Sequence, residues 1–146
     1  MAEWTSPVFD RTLADVEYAR QQLAKNINDV DYKGCFNAND LLRIENNTRY
    51  LADELINLYY FNNVSTTHTW GRSYLPNVTH VNRVIGNVNK LMTAYQKPSG
   101  IPNLPTTLLT YEQVNALEKN LFMTKEMLDD MVACFRQCGT FNCGEG

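Results

Sequence analysis

The sequence predicts an all-α fold: a bundle of about four helices with long loops and an extended C-terminal helix. Three observations predict it. Leucine-type side chains recur at alternating intervals of three and four in four separate stretches, the spacing that lines one face of a helix. Each stretch is preceded by a Thr or Asn suited to accepting hydrogen bonds from the free amides of a helix N-terminus. Nowhere does polarity alternate with period two for long enough to build a sheet.

The first helix is expected over residues 12–26. Thr12 precedes "LADVEYARQQLAKNI", and Asp15, three residues on, answers it in the manner of a capping box. Leu13, Val16, Leu23 and Ile27 fall on one face, with Ala19 and Arg20 in the intervening turn. The second helix is expected over 38–60. Asn37 or Asn39 caps it and Asp40 sits near the positive end of its dipole. Leu41, Ile44, Thr48, Leu51, Leu55 and Leu58 form a narrow apolar seam, which leaves Arg43, Glu45, Asn46, Asn47 and Arg49 for the other faces.

Residues 61–76, rich in Asn, Ser, Thr, Gly and Pro, read as a long connection. Helix three follows over 79–96, capped by Asn77 or Thr79, with Val81, Val84, Val88, Leu91 and Tyr95 in rhythm and Ile85 and Met92 beside them. "KPSGIPNLPTT" breaks the helical path, because proline removes a backbone donor and restricts the residue before it. Thr110 and Gln113 then make the clearest capping box of the chain. Val114, Leu117, Leu121, Thr124, Leu128, Met131 and Phe135 hold a heptad, and Gly139 is the expected stop. At about 27 residues this helix would be about 40 Å long, more than helix one could cover. The overhang predicts a partner surface, with a second copy of the chain as one occupant.

At 146 residues, the chain reads as one domain, 1–146, with an N-terminal arm (1–11) and a C-terminal tail (139–146). An apolar fraction of 44% against 20% charged places it among folded proteins. A net charge of −3 with scattered Lys and Arg lacks the electrostatic footprint of a nucleic-acid binder. "MAEWTSPVFDRT" lacks the pattern of a signal peptide, and no run approaches the ~20 apolar residues of a bilayer span. The expectation is therefore a chain made in a cytoplasm, with no nucleic-acid partner and no membrane insertion. The Asn-x-Ser/Thr triplets at Asn46, Asn63 and Asn77 then carry no glycosylation signal.

Reactive groups are sparse. The sequence offers no GxSxG, HExxH or phosphate-binding glycine loop, and no enzymatic activity or cofactor is expected. His68 and His80 read as surface or capping residues. Asp129 and Asp130 point in different directions on a helix and read as a solvated side. Cys134, Cys138 and Cys143, with the distant Cys35, are weak metal candidates because no second CxxC pair completes a zinc spacing. Buried or free thiols are the commoner outcome. Tyr59, Tyr60, Phe61, Trp70 and Tyr74 either cover the end of the bundle or, through Trp70 and Tyr74, form a glycan-stacking platform.

Five stretches together resemble a module of structural proteins from phages and prophages of Firmicutes. They are "PVFDRTLADV" (7–16), "KGCFNANDLLRIENNTRYL" (33–51), "LPNVTHVNRVIGNVNKL" (75–91), "LPTTLLTYEQVNALEKNL" (104–121) and the closing "GTFNCGE". The shared patterns are Asp-Arg-Thr before the first helix, a Lys-Gly-aromatic-Asn entry into an Asp-Leu-x-Arg-Ile/Val helix, and Leu-Thr-Tyr before the last. The resemblance implies a non-enzymatic virion component of the tail, baseplate or an appendage, made in the host bacterial cytoplasm. Its partners would be other virion proteins and further copies of itself. Cysteines 35, 138 and 143 depart from the small residues of that pattern, which leaves a disulfide or metal in the assembled particle open.

Trp4, Asp10, Arg11, Leu128, Met131 and Phe135 are the expected interface residues. For Asp10, Arg11 and Thr12, fixing the entry into the bundle by capping and an ion pair with a buried partner is the first assignment; Asp40, Arg43 and Glu45 are assigned likewise. A host-surface carbohydrate-binding role is the alternative function.

Overall fold

The computed structural model describes the backbone of residues 2–27, 31–66, 70–71 and 76–141, and their side chains as far as residue 135. Among these residues there are four helices: α1 (Leu13–Ala24), α2 (Ala38–Asn57), α3 (Val78–Ala94) and α4 (Tyr111–Phe141). No β-sheet occurs among them.

All four helices begin with reciprocal side-chain caps. Thr12 accepts from the Asp15 amide while Asp15 accepts from that of Thr12, and Asn37 and Asp40 do the same for α2. At α3 the pair is Asn77 and His80, with the imidazole Nδ1 taking the place of a carboxylate, 3.1 Å from the Asn77 nitrogen. At α4 the Gln113 Oε1 accepts from the amides of Leu109 and Thr110, and Thr110 Oγ1 accepts from that of Gln113. Each pair satisfies donors that a helix start leaves open.

α1 and α2 end alike. After α1, Asn26 takes a left-handed conformation (φ 60°), its amide donates to Leu23 O, and that of Ile27 donates to Gln22 O. After α2, Tyr59 (φ 66°) and Tyr60 repeat the pattern onto Ile56 and Leu55. This turn closes the helix by returning two amides to its last carbonyls, and it ends α2 three residues before the expected 60. Gly139, by contrast, does not stop α4, which continues to Phe141. Glycine inside a helix costs only about 1 kcal/mol and ends one only when a turn of this kind recaptures the carbonyls.

The core is built by α2, α3 and α4, which pack on one another. Ile44, Leu51 and Leu55 from α2, Val84, Val88 and Leu91 from α3, and Val114, Leu117, Leu121 and Leu128 from α4 are buried in one cluster. Thr48 and Thr124, within the seams, return their hydroxyls to the carbonyls of Ile44 and Asn120 and so bury no unsatisfied oxygen.

α1 is not a core helix. Leu13 is 55% exposed, Leu23 43% and Ile27 38%, and Ala19 is the buried residue of the helix. The face expected to turn inward therefore looks outward. α1 lies against the 32–36 segment, where Gly34 meets its backbone so closely that an added Cβ would stand 2.2 Å from Asp15 O. Tyr18 stacks edge-on against Tyr32.

The place a fourth helix would take beside α2 and α4 is filled by the extended residues 2–11. Trp4 packs on Tyr50 of α2 with the Lys125 ammonium of α4 over its ring, and Phe9 packs on Phe122 of α4. As the arm advances from 4 to 11 its partners fall from 50 to 40 on α2 and from 125 to 115 on α4. It thus runs antiparallel to both helices, which point the same way.

Candidate functional site

The arm ends in a buried ionic cluster that joins it to α2 and α4. Arg11, 5% exposed, places Nη2 3.0 Å from Asp40 Oδ1 and Nη1 2.9 Å from Glu118 Oε2. Arg43, one turn beyond Asp40 on α2, reaches Asp40 at 2.6 Å and grips Glu118 with two bonds, Nε to Oε1 at 2.7 Å and Nη2 to Oε2 at 2.9 Å. Two guanidinium groups and two carboxylates thus balance in charge, the condition under which buried ions are tolerated, with Arg43 partly exposed at the edge. The remaining donors are also used: Arg11 Nη1 reaches Val8 O at 2.6 Å and Nε reaches Lys33 O at 3.1 Å. Asp40 Oδ2 accepts the Asn37 amide, so the residue that caps α2 also anchors the arm.

Burial alone would lower the Arg43 pKa. The hydrogen bonds and charge of Glu118, and then of Asp40, outweigh it and hold the guanidinium above its ordinary range. At the cluster's edge, burial and then the Asp40 carboxylate push the Cys35 thiol up, which keeps it protonated at neutral pH.

Asparagine side chains bind the non-helical segments to the helices by a repeated device: one amide group meets both the N–H and the C=O of a single extended residue. Asn47, fully buried, accepts from Thr5 N at 2.9 Å and donates to Thr5 O at 2.7 Å. Asn115 treats Arg11 likewise at 3.3 and 2.9 Å, and Asn87 of α3 holds Ser65 at 3.4 and 2.6 Å. The side chain supplies the pairing a neighbouring β-strand would, and the buried backbone of the arm is thereby satisfied.

A second buried charge lies between α2 and α3. Glu45, 1% exposed, pairs with Arg83 and accepts the indole N–H of Trp70. Arg83 also reaches Ser65 O at 2.8 Å, so this pair fastens the loop after α2. Glu45 and Asn47 were expected on outer faces of helix two, and both are buried. Periodicity tracks apolar residues and cannot mark a polar side chain whose partner comes from a distant segment.

The structure separates the expected site residues. Arg11 and Leu128 are buried inside the chain and are corrected as interface residues, while Trp4 and Met131 are partly buried and pack against the core. Asp10 is exposed and paired with Lys33 at 3.0 Å, and Phe135, in the C-terminal part of α4, is 78% exposed. Trp70 is 6% exposed, with the His80 ring perpendicular to it at a centroid distance of 5.2 Å, and so offers too little surface for a sugar to stack on. Its role as a glycan platform is therefore corrected; Tyr74 lies outside the described residues. Tyr60 packs on Tyr95 at 4.6 Å, while Tyr59 and Phe61 face solvent.

Cys134 is exposed; the side chains of Cys138 and Cys143, and all of His68, lie outside the described residues. Among the described residues no three His, Cys, Asp or Glu side chains gather as a metal site requires, and no helix is long and apolar enough to cross a membrane. Glu118 and Asn115 were not singled out from the sequence. An acid and an amide three apart on one side of a predicted core helix, matching the unpaired arginines near 11 and 43, are the signal that could have found them. Compared with known proteins, the chain has no significant match to a family model, a curated protein or a solved structure.

Proposed function

We propose that this chain is a structural component of a phage or prophage virion, in the tail, the baseplate or an appendage, and that it acts through contacts with other virion proteins rather than through catalysis. One observation carries the reading. The residues that give the sequence its resemblance to such proteins are spent on internal structure: Arg11, Asp40 and Arg43 join the clasp between arm, α2 and α4, Thr12 and Asn37 cap α1 and α2, and Asp10 pairs with Lys33. The pattern is thus one of architecture, and both oxygens of Asp40 and of Glu118 are engaged by internal donors. A helix of 31 residues whose end carries an exposed Phe135 suits a subunit joined to neighbours.

The test is mass spectrometry and immunogold labelling of gradient-purified particles from a lysogen that encodes the chain. The expected result is co-sedimentation with intact particles and label on the tail, with deletion yielding defective particles. Absence from the particles together with normal particles after deletion would overturn the reading.

A further inference from the structure

The outward face of α1 and the residues just before α4 form an apolar groove of about 290 Å³. Leu13 and Val16 line one wall, Leu108 and Leu109 the other, and Phe36 lies between. Leu109 is 87% exposed and Leu13 55%, and Leu23 continues the α1 wall along the same helical face. Large apolar side chains left open side by side around a groove mark a contact surface. The two walls also carry opposite charges: Arg20 on α1 and Glu112 in the first turn of α4, neither with an ion-pair partner among the described residues.

We infer that a second copy of this chain covers this groove in a two-fold dimer, with leucine walls facing one another and Arg20 of each copy paired with Glu112 of the other. The argument for a like partner is charge complementarity. A two-fold axis lays the α1 wall of one copy on the α4 wall of the other and forms both ion pairs at once, so the face is complementary to itself. Hydrogen bonds from its own backbone amide, and then from the Thr110 side chain, hold the Glu112 carboxyl below the ordinary range. The dimer rests on the reading of the chain as an assembling subunit and names the surface it uses.

Sedimentation equilibrium of the full chain, with circular dichroism as the control for folding, tests the dimer. The wild type is expected to dimerise. Leu109→Asp, at a side chain that touches little of its own fold, is expected to raise the dissociation constant at least tenfold. Glu112→Arg and Arg20→Glu should each weaken the dimer, and the double exchange should restore it. A wild type monomeric at about 100 µM, where even a micromolar complex is almost fully formed, overturns the inference. So does a dimer indifferent to Leu109→Asp and to the charge exchange. Incorporation into particles is read separately, so a monomer that still enters particles removes the dimer and leaves the proposed function standing.

Discussion

Residues 2–11 and α1 are neighbours in the chain and are held by opposite means. The arm forms no regular structure, yet it lies in the groove between α2 and α4, fixed by Asn47 and Asn115 on its backbone, Trp4 and Phe9 on ring partners, and Arg11 in a charge cluster. α1 has its own internal hydrogen bonds and a complete cap, yet it buries Ala19 and leaves Leu13 and Leu23 outside. A helix satisfies its backbone wherever it lies; an extended segment must borrow partners. The arm is therefore where the buried polar groups concentrate, and α1 is free to present a surface.

The largest effect that sharpens this contrast is expected at Glu118. Glu118→Ala leaves Arg11 and Arg43 buried against a single carboxylate, and removing one partner from a buried ionic set costs about 3–5 kcal/mol. Urea unfolding should show a loss of that size. A loss below about 1 kcal/mol would mean that the arm is held by its aromatic and asparagine contacts rather than by the ionic cluster. Next comes Asn47→Ala, which strands the Thr5 amide and carbonyl and is expected to cost about 2 kcal/mol in the same measurement.

Gly34→Ala strikes the other region. A methyl 2.2 Å from Asp15 O cannot be accommodated without moving α1, and overpacking of this kind costs about 1–3 kcal/mol. Amide exchange should rise in 13–24 while α2–α4 stay protected; exchange rising equally in all helices would make α1 part of the cooperative core.

The smallest effect is pH-dependent. The hydrogen bond from the Thr12 amide, helped by Lys33 nearby, holds the Asp15 carboxyl below its ordinary value of 3.8. A depressed folded pKa gives stability that is present above the unfolded value and lost as pH falls through the folded one. Asp15→Asn should therefore lower the melting temperature slightly at pH 7, with the difference closing below about pH 3.8. A difference independent of pH would assign the effect to helix propensity.

The helices were legible because their signals are local. Thr12 with Asp15 and Thr110 with Gln113 stand three apart and find each other wherever the chain goes, and the seams of α2, α3 and α4 pack inward as their spacing indicates, except Phe135, which ends the α4 heptad 78% exposed. The clasp was legible only by halves. An ion pair for Arg11 could be expected, but its partner Glu118 is 107 positions away. The face of α1 was misjudged because Leu13, Val16 and Leu23 show only that a helix has an apolar side. What covers that side depends on which segment wins the groove, and the arm wins it through asparagines and arginine that no hydrophobic pattern detects.

The amides of Thr5 and Arg11, which donate to Asn47 and Asn115, report directly on the arm, and native-state hydrogen exchange with graded urea compares them with α1. They are expected to exchange only with global unfolding, at the same free energy as Leu117 in the core, while the amides of 13–24 exchange through an opening of lower free energy. Thr5 and Arg11 exchanging freely while α1 holds to the global limit would contradict the assignment of the arm, rather than α1, as the element that closes the bundle.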